Sequence, residues 1–168
     1  MTDLPPLAGE DHVCAACGLA YADLAVAEAP ARLEVLVRDF EAAVVAAPDP
    51  AVRPQPSVWS PAEYACHVRD VLVTYTVRLH RARREDRPVL EPMYNDLRAR
   101  RFDYAHADLA AVRAESRAAA AGLTAEIARI TDADRLVSRL PGEHRSTRWL
   151  VRQTLHEVRH HTLDIRSQ

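Results

Sequence analysis

Apolar residues recur at helical spacing in four stretches of the chain, over residues 31–47, 61–84 and 108–130 and from about residue 147 onward. The apolar face of the first stretch is formed by Leu33, Leu36, Phe40 and Val44. The last stretch spreads its apolar residues too widely for one exposed-helix stripe, which predicts a helix buried among the others. No stretch of useful length alternates apolar and polar residues, so no β-strand is expected. The pattern predicts an all-α protein built as a four-helix bundle.

The second helical stretch has the clearest start signal. Ser60 can cap it, Pro61 suits the first helical position, and Glu63 completes a capping box. The five prolines within residues 48–61 exclude a helix interior and a central strand, which predicts an extended connector ahead of this helix. After it, a charged segment that reaches to about residue 104 is expected to be irregular.

Composition limits the class of function. The 168 residues fit one domain. With 22 basic and 24 acidic residues the formal net charge is −2, so the protein has no overall positive field that would attract nucleic acid. No apolar run approaches the roughly 20 residues of a membrane-spanning helix, and the N-terminus lacks the features of a signal peptide. We therefore expect a cytoplasmic protein without nucleic-acid or membrane partners. A homodimer is a hypothesis that rests only on how common dimers are.

Three cysteines are too few for a secreted disulfide framework and indicate thiols or thiolates in a reducing compartment. Cys14 and Cys17, followed by Gly18, have the spacing of half a zinc knuckle. They lie in an N-terminal arm, residues 1–30, ahead of the bundle domain, residues 31–168. A second, structural metal there needs two further ligands, and the alternative is a pair of plain reduced cysteines. The candidate ligands are His12, His161, Cys66 or a second pair from a partner subunit.

Histidines of the last helix suggest a metal site. His156 and His160 lie one turn apart on one face, as two ligands of one metal require. The same string matches the zinc-protease motif H-E-x-x-H, but the longer metzincin form is absent and no sheet is predicted, so a protease is disfavoured. His67, which points into the bundle, is the best third ligand. Three imidazoles leave positions open for water or substrate and suit Zn, Ni, Fe or Cu. The histidines interpreted as hydrogen-bonded core or surface residues are His12, His80, His106 and His144.

Two longer motifs carry a family resemblance. Residues 59–70 read W-S-P-A-E-Y-A-C-H-V-R-D, and residues 155–165 read L-H-E-V-R-H-H-T-L-D-I. Together they resemble the helix start and the closing H-x-x-x-H-H helix of the DinB/YfiT-like four-helix-bundle metalloenzymes. This family also includes mycothiol-dependent maleylpyruvate isomerase and bacillithiol transferases. The resemblance spans about residues 31–166.

The resemblance implies one divalent metal, usually zinc or nickel, bound by His67, His156 and His160 with an open position that faces a pocket. Characterised relatives use the metal to activate a low-molecular-weight thiol, of which mycothiol is one, for attack on an electrophile. Asp164 occupies a position where many relatives carry Gln, which puts a substrate contact from that position in doubt.

Other polar residues near these ligands are weaker candidates. Asp70 and Glu157 could orient imidazole N–H groups from behind, or could be solvated carboxylates on a helix surface. The irregular connector offers residues that could rim the pocket, and no general base is assigned. These connector residues are Tyr94, Asn95 and Arg98.

Two functions follow from the sequence. One is a metal-dependent transferase or hydrolase that activates a thiol or water against a small molecule. The other is a non-catalytic bundle whose metal is structural or sensed, and a closed four-ligand site would favour it.

Overall fold

The computed structural model describes residues 6–140 and 142–168. Its helices are α1 Ala29–Ala46, α2 Pro61–Arg84, α3 Asn95–Arg101, α4 Leu109–Ile127 and α5 Thr147–Arg166. The four long helices confirm the predicted four-helix bundle, with ends within about three residues of the expected ones. The short α3 lies in the connector that was expected to be irregular. None of the described helices is long and apolar enough to cross a membrane.

The long helices pack in a ring in which α1 and α2 each contact α4 and α5. The first two long helices are therefore diagonal partners, and the proline-rich connector between them has to cross one end of the bundle. Helix α5 packs against both α1 and α2, which explains why its own apolar residues are spread widely around the helix. The fully buried residues of the core include Leu33, Leu72, Leu79, Leu123, Leu150 and Leu155.

The predicted capping box at the start of α2 is present. The Ser60 hydroxyl accepts from the backbone N–H of Glu63 at 3.2 Å, and the Glu63 carboxylate accepts from the N–H of Ser60 at 2.8 Å. Arg53 of the connector donates to the same carboxylate at 2.7 Å. The cap sets the first residue of α2 and thereby the direction in which His67, two turns later, projects.

A β-hairpin precedes α5, so the expectation of no strand is wrong. Strand β1, Leu136–Leu140, pairs antiparallel with β2, Glu143–Ser146, across a turn in which Gly142 has φ +80°. Both strands are short and carry several polar side chains, so alternation is hard to detect. The backbone of Ser138 also bonds the connector, accepting from the N–H of Leu90 at 2.7 Å.

The described part of the arm, residues 6–28, lies against α5 and the hairpin. The Arg145 guanidinium donates to the carbonyl of Ala8 at 2.6 Å, and the Glu10 carboxylate accepts from the N–H of Ser146 at 2.6 Å. Tyr21 of the arm is fully buried and its hydroxyl donates to Gln153 of α5. The arm therefore forms part of the core, and the domain boundary at residue 30 stays a prediction.

Candidate metal centre

Helix α5 carries two overlapping pairs of metal-ligating residues four positions apart: His156 with His160, and Glu157 with His161. Adjacent helix residues project about 100° apart, so the two pairs face different surroundings. The second pair meets His67 of α2, whereas the first pair meets the cysteines of the arm. Within the described residues, the structure therefore does not bring His67 together with His156 and His160 as one group of ligands.

His67, Glu157 and His161 place one ligand atom each within 4.8 Å of one another. Glu157 Oε2 lies 3.4 Å from His67 Nε2 and 3.3 Å from His161 Nε2. Ligands about 2.0–2.2 Å from a tetrahedral metal are about 3.3–3.6 Å apart, whereas a good N–H···O hydrogen bond is about 2.9–3.0 Å long. Two imidazole nitrogens and one carboxylate oxygen at these separations fit a divalent metal.

Two side chains of α5 hold these ligands from behind. The Asp164 carboxylate pairs with His161 Nδ1 at 2.7 Å, which leaves Nε2 of that ring directed at the cluster. Gln153 donates to the other oxygen of Glu157 at 2.5 Å. Carboxylate and amide partners of this kind set the tautomer and orientation of a metal ligand.

Aromatic rings of the α2 start enclose the histidines. The Trp59 ring centroid lies 5.3 Å from that of His67, and the Tyr64 centroid lies 5.0 Å from that of His161. The His67 side chain is buried, with 2% of its residue surface exposed. This packing restricts the rotation of both imidazoles.

The cluster is charged even without a metal. Burial lowers the pKa of His161, but its bonds to Asp164 and Glu157 outweigh burial and raise that pKa to about 9. Burial raises the pKa of Glu157, and its hydrogen bonds with His161 and His67 outweigh burial and hold that pKa well below its usual value. At neutral pH a metal ion would therefore replace a proton on His161 beside an ionised carboxylate.

A cavity of about 680 Å³ opens beside this cluster, and His67 and Glu157 are part of its wall. The volume lies within the usual range for small-molecule pockets. The connector supplies Tyr94 and Asn95, as predicted for the rim, and the arm supplies Leu7 and Ala8. Further lining residues are Tyr75, Arg78, Met93, Arg100, Arg139 and Trp149.

The Asp70 carboxylate bonds two arginines and a tyrosine, whereas the sequence suggested that it orients an imidazole. Its carboxylate accepts from Arg98 at 3.0 Å, from the Tyr104 hydroxyl at 2.5 Å and from Arg69 at 2.9 Å. The described hydrogen bonds of Asp70 thus join α2 to the connector rather than orient an imidazole. Arg98, a predicted rim residue, is committed to this network.

His161 is the site residue that the sequence argument did not assign to this cluster. The sequence contains a signal for His161 as a ligand, because His160 and His161 are adjacent and each has a metal-ligating residue four positions earlier. Choosing between the two pairs requires knowing which side of α5 faces α2 and which faces the arm.

The sequence model of the DinB superfamily matches residues 25–165. Among solved structures, the chain is similar to YfiT from Bacillus subtilis, described as a probable metal-dependent hydrolase with an unusual four-helix bundle topology. The TM-score is 0.74 at 16% identity, with 84% of each chain covered, so this likeness concerns the fold. None of the curated proteins matches the chain. The family resemblance of the two motifs is confirmed.

Proposed function

The chain belongs to the DinB superfamily, and on that premise we propose that it is a metal-dependent enzyme whose metal is held by His67, Glu157 and His161. The observation that carries the proposal is the convergence of these three ligand groups from two helices at the wall of a cavity. The description of YfiT as a metal-dependent hydrolase supports it.

A divalent ion, zinc or nickel, would supply Lewis-acid chemistry there by lowering the pKa of a water or thiol that enters its open position. The chain contributes the ligands and their orientation: Asp164 holds His161, and Gln153 holds Glu157. The cavity holds the substrate beside them. Attack by water makes the protein a hydrolase, and attack by a low-molecular-weight thiol such as mycothiol makes it a transferase.

The cavity wall favours a substrate or thiol that carries negative charge. Arg78 and Arg100 line it, and Arg139, which also lines it, is paired with Glu143 at 2.8 Å. The acidic lining residues are Asp96 and the proposed metal ligand Glu157. The guanidinium of Arg78 lies over the Tyr75 ring at 4.8 Å, which holds this cation at the wall. A small electrophile with a carboxylate or phosphate group suits these surroundings.

The test is a turnover assay on zinc- or nickel-loaded protein with small esters, amides and alkyl electrophiles, anionic and neutral, with water alone and with added mycothiol. We expect metal-dependent turnover with a preference for the anionic members, and a loss of at least about 100-fold in Glu157→Gln. The matched control is Glu34→Gln, an exposed carboxylate on α1, which should retain wild-type activity.

The competing function is a non-catalytic metal-binding bundle. It predicts that the loaded protein turns over no member of the panel under either condition and that no member protects the metal from chelation. That result would overturn the proposed enzyme.

A further inference from the structure

We propose that Cys14, Cys17, His156 and His160 form a second metal site, a structural zinc site that fastens the N-terminal arm to α5. The four side chains each place one ligand atom within 4.8 Å of the others. Two thiolates and two imidazoles form a donor set typical of closed, tetrahedral zinc sites. The site shares no ligand with the cluster around His67.

The arm presents both thiols from one tight turn. The N–H of Gly18 donates to the carbonyl of Cys14 at 2.8 Å, and the N–H of Cys14 donates to the carbonyl of Leu19 at 3.0 Å. Gly18 has φ +67°, a left-handed conformation that favours glycine. Cys14 and Cys17 are buried, with 7% and 3% of their surface exposed, and both are free thiols. The Cys14 and Cys17 pair, which has the spacing of half a zinc knuckle, therefore lies on a tight turn with both thiols buried.

His156 carries buried ring nitrogens that lack a hydrogen-bond partner in the described part of the chain. Both nitrogens of its ring are buried, and neither has a hydrogen-bond partner among the described residues. Leaving such nitrogens unsatisfied is costly, and native structures rarely do so. A metal ion beside the cysteines satisfies that need.

His160 directs one ring nitrogen at a thiol of the arm. Its Nδ1 lies 3.4 Å from Cys14 Sγ, close to the roughly 3.6 Å expected between sulfur and nitrogen ligands of tetrahedral zinc. Its Nε2 lies 3.8 Å from the Asp164 carboxylate, an ionic contact longer than a hydrogen bond. Arg159 donates to the carbonyl of Cys17 at 2.9 Å, so the arm and α5 are already aligned at this point.

The site is closed and lies behind the cavity wall. Among the four ligands only His156 is a described lining residue of the cavity, and four protein ligands fill a tetrahedron. The arm also supplies Leu7 and Ala8 to the cavity wall. Zinc here would therefore hold one wall of the substrate cavity in place without taking part in the chemistry.

The first test is replacement of zinc by Co²⁺ in the wild-type full chain, which requires no variant. Bound thiolates give an intense sulfur-to-cobalt charge-transfer absorption in the near ultraviolet, which imidazole and carboxylate ligands do not give. We expect this absorption to saturate at one equivalent of Co²⁺ and to disappear on addition of zinc. A cobalt-loaded protein without it, or a purified protein whose mass shows a Cys14–Cys17 disulfide and no metal, would overturn the proposal.

The second test is zinc content after purification without a nickel column and dialysis against a weak chelator. We expect one more zinc per chain in the wild type, and in Cys66→Ser, a matched variant of the buried cysteine that belongs to neither cluster, than in Cys14→Ser/Cys17→Ser. Equal zinc content in the double variant would overturn the proposal, and the cobalt spectrum decides the matter if that variant does not fold.

Discussion

His67 Nε2 lies 3.4 Å from a carboxylate oxygen of Glu157, although 90 residues separate the two in the chain. The contact joins α2 to α5, and the cluster built on it is complete only when these helices pack in their observed register. Metal binding at this cluster, as proposed, would therefore be coupled to folding of the bundle.

Replacing Glu157 by Gln is expected to lower zinc affinity at this cluster by at least about 100-fold, because the amide is a weaker ligand and removes a negative charge. The measurement is competition with a chromophoric chelator in a Cys14→Ser/Cys17→Ser background, so that only this cluster is titrated. Glu34→Gln serves as the control. Unchanged affinity in Glu157→Gln would show that the carboxylate is not a ligand.

Replacing Asp164 by Asn is expected to lower the same affinity by roughly 10–100-fold, a smaller effect because Asp164 acts through His161. The amide can accept the same hydrogen bond but lacks the charge that favours the bound tautomer. The same competition titration measures it. An effect larger than that of Glu157→Gln would mean that Asp164 itself binds the metal.

Replacing Asp70 by Asn is expected to cost about 3 kcal/mol of unfolding free energy at pH 7, because Arg98 and Tyr104 lose a buried charged partner. Glu115→Gln, which removes an exposed partner of Arg69, should cost less than about 1 kcal/mol. Urea denaturation followed by circular dichroism measures both.

The Asp70 network also predicts how stability depends on pH. Burial raises the pKa of Asp70, but the bonds from Tyr104 and Arg98 outweigh burial and hold that pKa below its ordinary value. Its contribution is complete above the unfolded pKa of about 3.9 and is lost as the pH falls through the folded value. Asp70→Asn should therefore flatten the loss of stability that begins as the pH falls below about 5. An equal loss of unfolding free energy with falling pH in the wild type and in Asp70→Asn would contradict this role.

Replacing Ser60 by Ala is expected to cost about 1 kcal/mol of unfolding free energy, because the N–H of Glu63 loses its acceptor at the start of α2. Ser57→Ala, at an exposed connector position, should change stability by less than about 0.5 kcal/mol. Urea denaturation of both variants checks the cap. Equal midpoints would show that the capping box contributes nothing.

Features decided by neighbouring residues could be predicted from the sequence. The four long helices and the capping box of Ser60 and Glu63 follow from helical periodicity and local hydrogen bonding, and both are observed. The half knuckle of Cys14 and Cys17 is likewise a local pattern. The same periodicity places His67 in the bundle interior, where it is buried.

Features decided by tertiary packing could not be predicted. The pairs His156–His160 and Glu157–His161 have the same spacing, and only the positions of α2 and the arm distinguish them. The hairpin is also stabilised by a backbone contact from Leu90 to Ser138, far apart in sequence. The docking of the arm depends on hydrogen bonds to the hairpin and α5 between residues far apart in sequence, such as Glu10 with Ser146 and Tyr21 with Gln153.

Native mass spectrometry tests most directly whether His67, Glu157 and His161 bind a metal ion, because it counts the zinc ions bound per chain. The comparison is between wild type, His67→Ala/His161→Ala and His67→Ala/His156→Ala, each saturated with zinc. We predict two ions in the wild type, and one in His67→Ala/His161→Ala, which keeps its thiolate-to-cobalt absorption. His67→Ala/His156→Ala should lose ions from both clusters. Two ions retained in His67→Ala/His161→Ala would contradict metal binding by this cluster.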